Sequence, residues 1–184
     1  ARCACLKAGK MISVMNLVIS PSNSYDLPFF GADFVTLPNG HLIALDLQPA
    51  IKNDSVHTQH VWNKLKPIHA KWQSLLPKGG HVPEEALEYF SPGFLWSRIP
   101  LGDEGDQLIN KIIKPAFNEY LKLYLNILID AREVTNERSL IILDGQRKYM
   151  DYRAKKDPAR GMLKGFFGNE WTENYINNIL FDLQ

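Results

Sequence analysis

The sequence predicts an α/β protein in which an antiparallel-rich sheet lies between layers of helices. Three observations lead to this class. Short apolar runs bounded by turn residues occupy positions 13–47, which is typical of strands. From Val56 onwards apolar residues recur at helical spacing, and one further strand-like run interrupts these helical patterns. An order of strands, helix, strand and helices favours a single sheet covered by helices.

Three strands are predicted in the first quarter of the chain, over residues 13–19, 30–37 and 41–47, with Pro49 ending the third. Asn39-Gly40 between the second and third strands predicts a type I′ hairpin turn, because both residues accept positive φ values. If these two residues form the whole loop, the register places Asp33 opposite Asp46. The strands are apolar on both faces, which predicts a sheet covered on both sides.

The remaining elements are predicted from the spacing of apolar residues and from the prolines and glycines that interrupt helices. Pro67 predicts a break or kink in the first long helix, and Gly161, Gly165 and Gly168 separate the last two helices. Because no repeat or linker divides the chain, we expect one domain over residues 1–184. The predicted helices cover 56–76, 83–90, 106–132, 137–156 and 169–181, with a strand over 94–99.

Composition excludes several classes of protein. The 184 residues carry 21 Lys and Arg against 20 Asp and Glu, so the net charge of +1 indicates neither nucleic-acid nor membrane binding. No apolar run reaches the roughly 18 residues of a membrane span. No glycine-rich nucleotide-binding motif and no G-x-S-x-G nucleophile motif occurs. The chain opens on Ala1 without a signal sequence, and we expect an N-terminal part to be missing.

No metal site is predicted. His57 and His60 lie three residues apart on a predicted helix, but no Cys, Asp or Glu at ligand spacing completes a set, so solvated histidines are the simpler interpretation. Cys3 and Cys5 would place both thiols on one face of a strand. Two soft ligands do not make a site, and cysteines of the core fit better.

The most informative single residue is Asp33, an acid in the middle of an apolar strand. A carboxyl group buried there must find a partner or keep its proton, because burial raises the pKa of an acid. Pairing with Asp46 would favour a proton shared by the two carboxyl groups. A longer hairpin loop would remove that pairing, and Asp33 could also be a hydrogen-bonded acid without chemistry.

A basic stretch precedes the second acid of interest. Residues 132–164 hold nine Lys or Arg against five acids, a local excess of four, to which Arg2, Lys7 and Lys10 could add. Such an excess suits an acidic partner or a ligand with carboxylates, although a solvated helix face fits equally well. Asp157 precedes Pro158, a pattern that also fits a helix N-cap.

Several long segments are similar to the ferredoxin-dependent bilin reductases, and together they cover essentially the whole chain. Within that family, residues 47–52 (LQPAIK) and 151–154 (DYRA) resemble the members that convert 15,16-dihydrobiliverdin to phycoerythrobilin. The segments that carry the family resemblance are 25–33 (YDLPFFGAD), 40–49 (GHLIALDLQP), 90–96 (FSPGFLW), 145–149 (GQRKY), 157–163 (DPARGML) and 171–183.

The resemblance implies a three-layer α/β/α sandwich with a central antiparallel sheet, and a bilin held between the sheet and the C-terminal helices. It implies reduction of the A-ring diene system through bilin radicals, with electrons from ferredoxin and no bound metal or flavin. A sister reductase acting on biliverdin and a bilin carrier without turnover are the alternatives.

The resemblance also assigns candidate site residues. Asp33 and Asp157 match the proton-donating acids, a role for which a buried acid is suited at neutral pH. Asn16 falls where phycocyanobilin-forming relatives carry a histidine, which argues against that activity because an amide cannot supply the proton. The candidate substrate-binding residues are Asn16, Gln48, Arg98 and Arg160, the two arginines for the propionates.

The expected partners are ferredoxin, 15,16-dihydrobiliverdin and a preceding bilin reductase that passes on its product. We expect a monomer that binds neither nucleic acid nor a membrane. The expected location is the plastid stroma of a phycobilin-containing alga, with the cyanobacterial cytoplasm as the alternative.

Overall fold

The computed structural model describes residues 1–9 and 11–181, so the predicted contribution of Lys10 and the end of the last matched segment lie outside the described residues. Five antiparallel strands form one sheet in chain order. The strands are β1 (Arg2–Ala8), β2 (Ile12–Ile19), β3 (Phe29–Leu37), β4 (Gly40–Gln48) and β5 (Leu95–Ile99). The helices are α1 (Ser55–Gln73), α2 (Glu84–Leu87), α3 (Asp103–Leu108), α4 (Lys114–Asp130), α5 (Asn136–Lys156), α6 (Arg160–Phe167) and α7 (Asn169–Tyr175), with π-helical turns at Ile109–Ile113 and Ile176–Leu180.

The four strands predicted from apolar runs are confirmed to within one residue at each end. The edge strand β1 is an addition, because its sequence RCACLKA mixes charged and small residues and shows no apolar run.

The β3–β4 hairpin has a different register from the predicted one. Leu37 pairs with Gly40, so the loop is Pro38-Asn39 rather than Asn39-Gly40. Pro38 cannot adopt the positive φ of a type I′ turn, and among the described residues only glycines have positive φ. Asp33 consequently faces Ala44, and its predicted pairing with Asp46 is wrong.

One face of the sheet, here called the core face, packs against α1 and α4. Phe30 of β3 contacts Phe117 and Tyr124 of the α4 layer at ring-centroid distances of 6.1 and 5.6 Å. The helices cover β3, β4 and β5 on this face. The buried residues of this core include Phe30, Ala32, Ile43, Leu45, Leu47, Val61, Leu65, Leu95, Tyr120 and Tyr124.

The opposite face, here called the polar face, carries α5 and the C-terminal helices. Phe29 stacks on Tyr149 of α5 with centroids 4.3 Å apart, and Leu6 of β1 packs against Leu163 and Ile176. Helices therefore lie on both sides of the sheet. The predicted three-layer α/β/α sandwich with a central antiparallel sheet is confirmed.

Three helix boundaries differ from the prediction. Pro67 lies inside α1 without ending it. Gly161 and Gly165 lie within α6, where nothing would contact an added Cβ, and the break comes at Gly168, whose φ is +81°. The helix predicted to begin at residue 106 begins at Asp103. In the described part of the chain, no helix has the length and apolarity needed to cross a membrane.

Candidate functional site

A polar cluster lies in the middle of the polar face, where Asn16 of β2 stands directly opposite Asp33 of β3. The Asn16 amide Nδ2 donates a hydrogen bond to Asp33 Oδ1. The Asp33 side chain is 36% exposed, so the predicted burial of this acid is wrong. Its neighbours on this face, Gly31 and Ala44, are too small to cover it. Asp33 is therefore a carboxyl group open to a ligand.

Arg153 of α5 reaches into the same cluster. Its Nη2 lies 4.0 Å from Asp33 Oδ2, which is an ion pair without a hydrogen bond. Burial acts to lower the pKa of the guanidinium, but Tyr149, Asp33 and Asp157 around it raise that pKa overall. Its Nε is buried and finds no hydrogen-bond partner within residues 1–9 and 11–181. The sequence analysis included Arg153 in the basic stretch and in the segment 151–154, but did not assign it to the site.

Asp157 ends α5 on the helical side of the cluster. Its Oδ1 accepts a hydrogen bond from the backbone N–H of Ala159 at 2.7 Å within the turn before α6, but α6 begins at Arg160 with Ala159 as its N-cap, so the predicted N-cap role of Asp157 is wrong. Burial raises the pKa of Asp157, and the nearby Asp33 adds to this, while the Ala159 N–H and Arg153 oppose it. The charges of both acids thus act on the Arg153 guanidinium, and the pKa of Asp157 is shifted towards its protonated form.

Gln48 and Tyr149 form the floor beside this cluster. The buried Tyr149 hydroxyl donates to Gln48 Oε1, and burial raises the pKa of Tyr149 to about 12, so the phenol keeps its proton. A Cβ at Gly31 would lie 2.9 Å from Gln48 Oε1. Glycine at this position therefore lets Gln48 lie across the strand and meet Tyr149.

Among the residues that the structure describes, the fully buried acid is Asp46 rather than Asp33. Its side chain accepts hydrogen bonds from the Ser91 backbone N–H at 2.8 Å and from the Ser91 hydroxyl. Burial raises its pKa to about 7, while the bonds from Ser91 act in the opposite direction. The sequence shows Asp46 between apolar residues of β4, but its partner Ser91 is 45 positions away and could not be inferred.

Two of the four predicted substrate-binding residues, Arg98 and Arg160, are engaged by other protein groups. Arg98 is exposed on the edge strand β5, where its Nε donates to the Gly79 carbonyl at 2.9 Å. Arg160 is engaged by Glu173 and by the Ala154 carbonyl. The structure brings together Asn16, Asp33, Gln48, Tyr149, Arg153 and Asp157, with Arg160 next to Asp157, whereas Arg98 lies on β5.

The histidines and cysteines also differ from the sequence interpretation. His57 is 1% exposed rather than solvated, because its ring bonds Asp26 and accepts from the Ala50 N–H at 3.0 Å. Cys3 and Cys5 are exposed rather than part of the core. Within the described ranges, no group of three or more His, Cys, Asp and Glu could hold a metal ion.

The basic stretch 132–164 does not form one surface. Arg138 and Lys156 are 18 residues apart on α5, which corresponds to about 27 Å along the helix. Arg138 is engaged with two aspartates, whereas Arg147 and Lys155 are exposed and Lys156 pairs with Glu85 at 3.0 Å. The exposed positive charge therefore lies on the C-terminal half of α5.

The sequence matches the family described as ferredoxin-dependent bilin reductase over residues 1–182. The chain belongs to this family. A phycoerythrobilin:ferredoxin oxidoreductase of Prochlorococcus marinus (strain NATL2A) is 72% identical over 184 residues, which is all of this chain and 71% of the relative. A protein of the same name from Synechococcus sp. (strain WH8020) is 64% identical over 182 residues, covering 99% of this chain and 71% of the relative.

A solved bilin reductase structure has the same fold. Phytochromobilin synthase from tomato, crystallised in complex with biliverdin, superposes with a TM-score of 0.89 at 26% sequence identity. The match covers 97% of this chain, and the chain spans 63% of the tomato protein.

The predictions of the bilin reductase family, of its α/β sandwich and of its oxidoreductase class are confirmed by these matches. The two bacterial relatives come from cyanobacteria, which supports the cyanobacterial alternative for the source rather than the expected plastid.

Proposed function

We propose that the protein reduces the A-ring diene system of 15,16-dihydrobiliverdin to phycoerythrobilin, with ferredoxin as the electron donor. The product and the donor are those in the names of relatives that are 60–72% identical. The choice of substrate follows the resemblance of residues 47–52 and 151–154. The observation that carries the chemistry is the proximity of two acids to Arg153: Asp33, which is 36% exposed, and the more buried Asp157, on which the charges of Arg153 and Asp33 act.

Reduction of a diene adds two electrons and two protons, and ferredoxin delivers its electrons one at a time. Each added electron makes the bilin more basic, so a neighbouring acid can transfer a proton to it. In this proposal one of the two aspartic acids protonates the first radical anion to a neutral radical. The other protonates the product of the second electron transfer. No bound metal or flavin takes part.

The environment of each acid suits this role. Asp157 holds its proton more readily than an ordinary aspartate because it is buried and lies near Asp33. Asp33 is 36% exposed and is therefore accessible to a ligand. Arg153 stays positively charged near them and stabilises the negative charge that each electron brings to the ring.

Asn16 and Gln48 orient rather than protonate. The Asn16 amide holds Asp33 Oδ1, which leaves Oδ2 free towards Arg153 and the ligand. Gln48 is fixed by the Tyr149 hydroxyl and offers its amide to the pocket floor. Neither amide donates a proton in catalysis, so in this proposal Asp33 and Asp157 are the two acids that protonate the bilin.

Ferredoxin would dock on the exposed positive charge of the C-terminal half of α5, next to Arg153. Lys155 and Arg147 are exposed there, and Lys156 is held by Glu85. In this account the protein acts as a monomer and receives its substrate from a preceding bilin reductase.

The test is an anaerobic assay with reduced ferredoxin and either 15,16-dihydrobiliverdin or biliverdin, followed by absorbance spectra and chromatography. Phycoerythrobilin formed from 15,16-dihydrobiliverdin, with biliverdin left unchanged, is the expected result. Consumption of biliverdin would show a sister reductase. A bound but unreacted bilin would show a carrier, and either outcome would overturn the proposal.

A further inference from the structure

The edge of the sheet carries three sulfur side chains on the face opposite to Asp33. Cys3 and Cys5 project from the same side of β1, and their Sγ atoms are 4.0 Å apart. The register pairs Cys5 directly with Met15 of β2, so the Met15 side chain lies on that same side. Directly opposite residues of an antiparallel pair have Cβ atoms about 5 Å apart.

The two thiols are exposed because the helices of the core face cover β3, β4 and β5 and leave β1 bare. Both are free thiols. Their positions are fixed by the continuous β1–β2 ladder, which runs from Arg2 to Ala8. The geometry of the pair is therefore preorganised by the backbone rather than by a mobile loop.

A separation of 4.0 Å between the two sulfur atoms suits a shared metal ion. A metal–thiolate bond measures about 2.3 Å, and two such bonds at an angle of roughly 120° place the sulfurs about 4 Å apart. The pair can thus chelate an ion with no displacement of the strand. A disulfide, by contrast, needs sulfurs about 2.0 Å apart and would require the side chains to move.

The chemistry of the three ligands selects the ion. Thiolate and thioether sulfur are soft ligands that favour monovalent copper, whereas a structural zinc site takes four Cys or His ligands. In the described part of the chain, no His, Asp or Glu joins the two cysteines as a third ligand of the kind that zinc prefers. Met15 supplies a third sulfur, and three soft ligands suit copper in its monovalent state.

We propose that Cys3, Cys5 and Met15 bind one monovalent copper ion on the exposed edge of the core face. The two thiols release their protons as the copper–sulfur bonds form, and the thioether binds without a proton change, so the step involves no oxidation or reduction. The site lies on the opposite side of the sheet from Asp33 and does not depend on bilin reduction.

The experiment is an anaerobic titration of the reduced chain with monovalent copper in competition with bathocuproine disulfonate. The wild-type chain is expected to hold one copper ion. Cys5→Ser should weaken binding by about 100-fold and Met15→Leu by about 10-fold. Met11→Leu is the matched control, because Met11 is half exposed and precedes β2, and it should bind like the wild type.

Thermal unfolding of each variant without copper checks that the fold is intact, and all of these variants should unfold like the wild type. Copper binding by Cys5→Ser as tight as that of the wild type would overturn the site. Equal affinities of Met15→Leu and Met11→Leu would overturn the three-sulfur ligand set.

Discussion

Helix α5 places one arginine near two aspartates at each of two positions, and the two clusters differ in how the arginine meets the carboxylates. In the first, here called the closed cluster, Arg138 Nε donates to Asp26 Oδ2 at 2.7 Å and its Nη1 donates to Asp54. His57 Nδ1 adds a contact of 2.5 Å to Asp26 Oδ1. The second, here called the open cluster, is Arg153 near Asp33 and Asp157.

The open cluster lies 15 residues further along α5, about 22 Å away. Its nearest arginine–carboxylate distance is 4.0 Å, and Arg153 Nε and Asn16 Oδ1 are buried without a hydrogen-bond partner among the residues described. Hydrogen bonding to Arg138 lowers the pKa of Asp54, whereas burial raises the pKa of Asp157. The closed cluster thus keeps its carboxylates ionised and stabilises the fold, whereas in the open cluster Asp157 holds its proton more readily and two buried polar atoms have unused bonding capacity for a ligand.

The largest effect on stability is expected from Arg138→Leu. This change leaves Asp26 and Asp54 largely buried without their cation, and breaking one partner of such a network typically costs about 3–5 kcal/mol. Urea unfolding should show a loss of that order. Turnover per folded molecule should remain near that of the wild type, because the closed cluster does not contact the bilin site.

Arg153→Leu is the matched variant in the open cluster. It removes no hydrogen bond to a carboxylate, so the loss of unfolding free energy should be about 1 kcal/mol or less. Turnover should nevertheless fall at least about 10-fold because the cation near the two acids is lost. Equal stability losses in the two variants would contradict the distinction between the clusters.

A pH-dependent effect on stability is expected from Asp46→Asn. Burial raises the pKa of Asp46 to about 7, well above the value of about 3.9 for an unfolded chain. Between these values the folded state holds a proton that the unfolded state has released. Rising pH therefore costs stability there, by at most about 1.4 kcal/mol per pH unit, and the full penalty is present above pH 7.

Because an asparagine side chain does not titrate, the Asp46→Asn variant should gain stability relative to the wild type at pH 8 and show little gain at pH 5. Urea unfolding at the two pH values measures the difference. Ser91→Ala serves as a control, because it removes a partner of Asp46 without removing the titrating group. An identical pH dependence in Asp46→Asn and the wild type would show that Asp46 does not titrate in this range.

The smallest effect concerns the docking of the donor. Lys155→Glu with Lys156→Glu should raise the apparent KM for ferredoxin several-fold and leave the Kd for the bilin nearly unchanged. Activity of the wild type should fall as ionic strength rises, since exposed charges are screened over about 8 Å at physiological salt. Lys64→Glu with Lys66→Glu, two exposed positions of α1, is the matched control. Weaker bilin binding with unchanged dependence on ferredoxin would instead make Lys155 and Lys156 part of a propionate site.

The spacing of apolar residues was enough to locate β2 to β5 and the long helices, because the residues that each of these elements buries recur at regular intervals along the sequence. It could not find β1, whose sequence mixes charged and small residues and contains no apolar run. The hairpin register depended on which of Pro38, Asn39 and Gly40 entered the loop, and the fixed φ of Pro38 decided it.

Only part of the site could be predicted from the sequence, because the site also depends on contacts between distant segments. Asp33 and Asp157 could be singled out by their local context, but their relation to Arg153 depends on how α5 crosses the sheet. The exposure of Asp33 depends on Gly31 and Ala44, which are neighbours across strands rather than along the chain. The burial of Asp46 likewise depends on Ser91, a contact between distant segments.

The most direct test of the open cluster is Asp33→Asn, assayed with reduced ferredoxin and 15,16-dihydrobiliverdin. Asparagine is nearly isosteric and can still accept the hydrogen bond from Asn16, but it has no acidic proton to transfer. Asp151→Asn, at an exposed position on α5, is the control. We expect Asp33→Asn to bind the bilin like the wild type and to lose about 10²- to 10⁴-fold in turnover, with a radical absorbance that persists. Turnover at the wild-type rate would contradict the claim that this cluster supplies the protons.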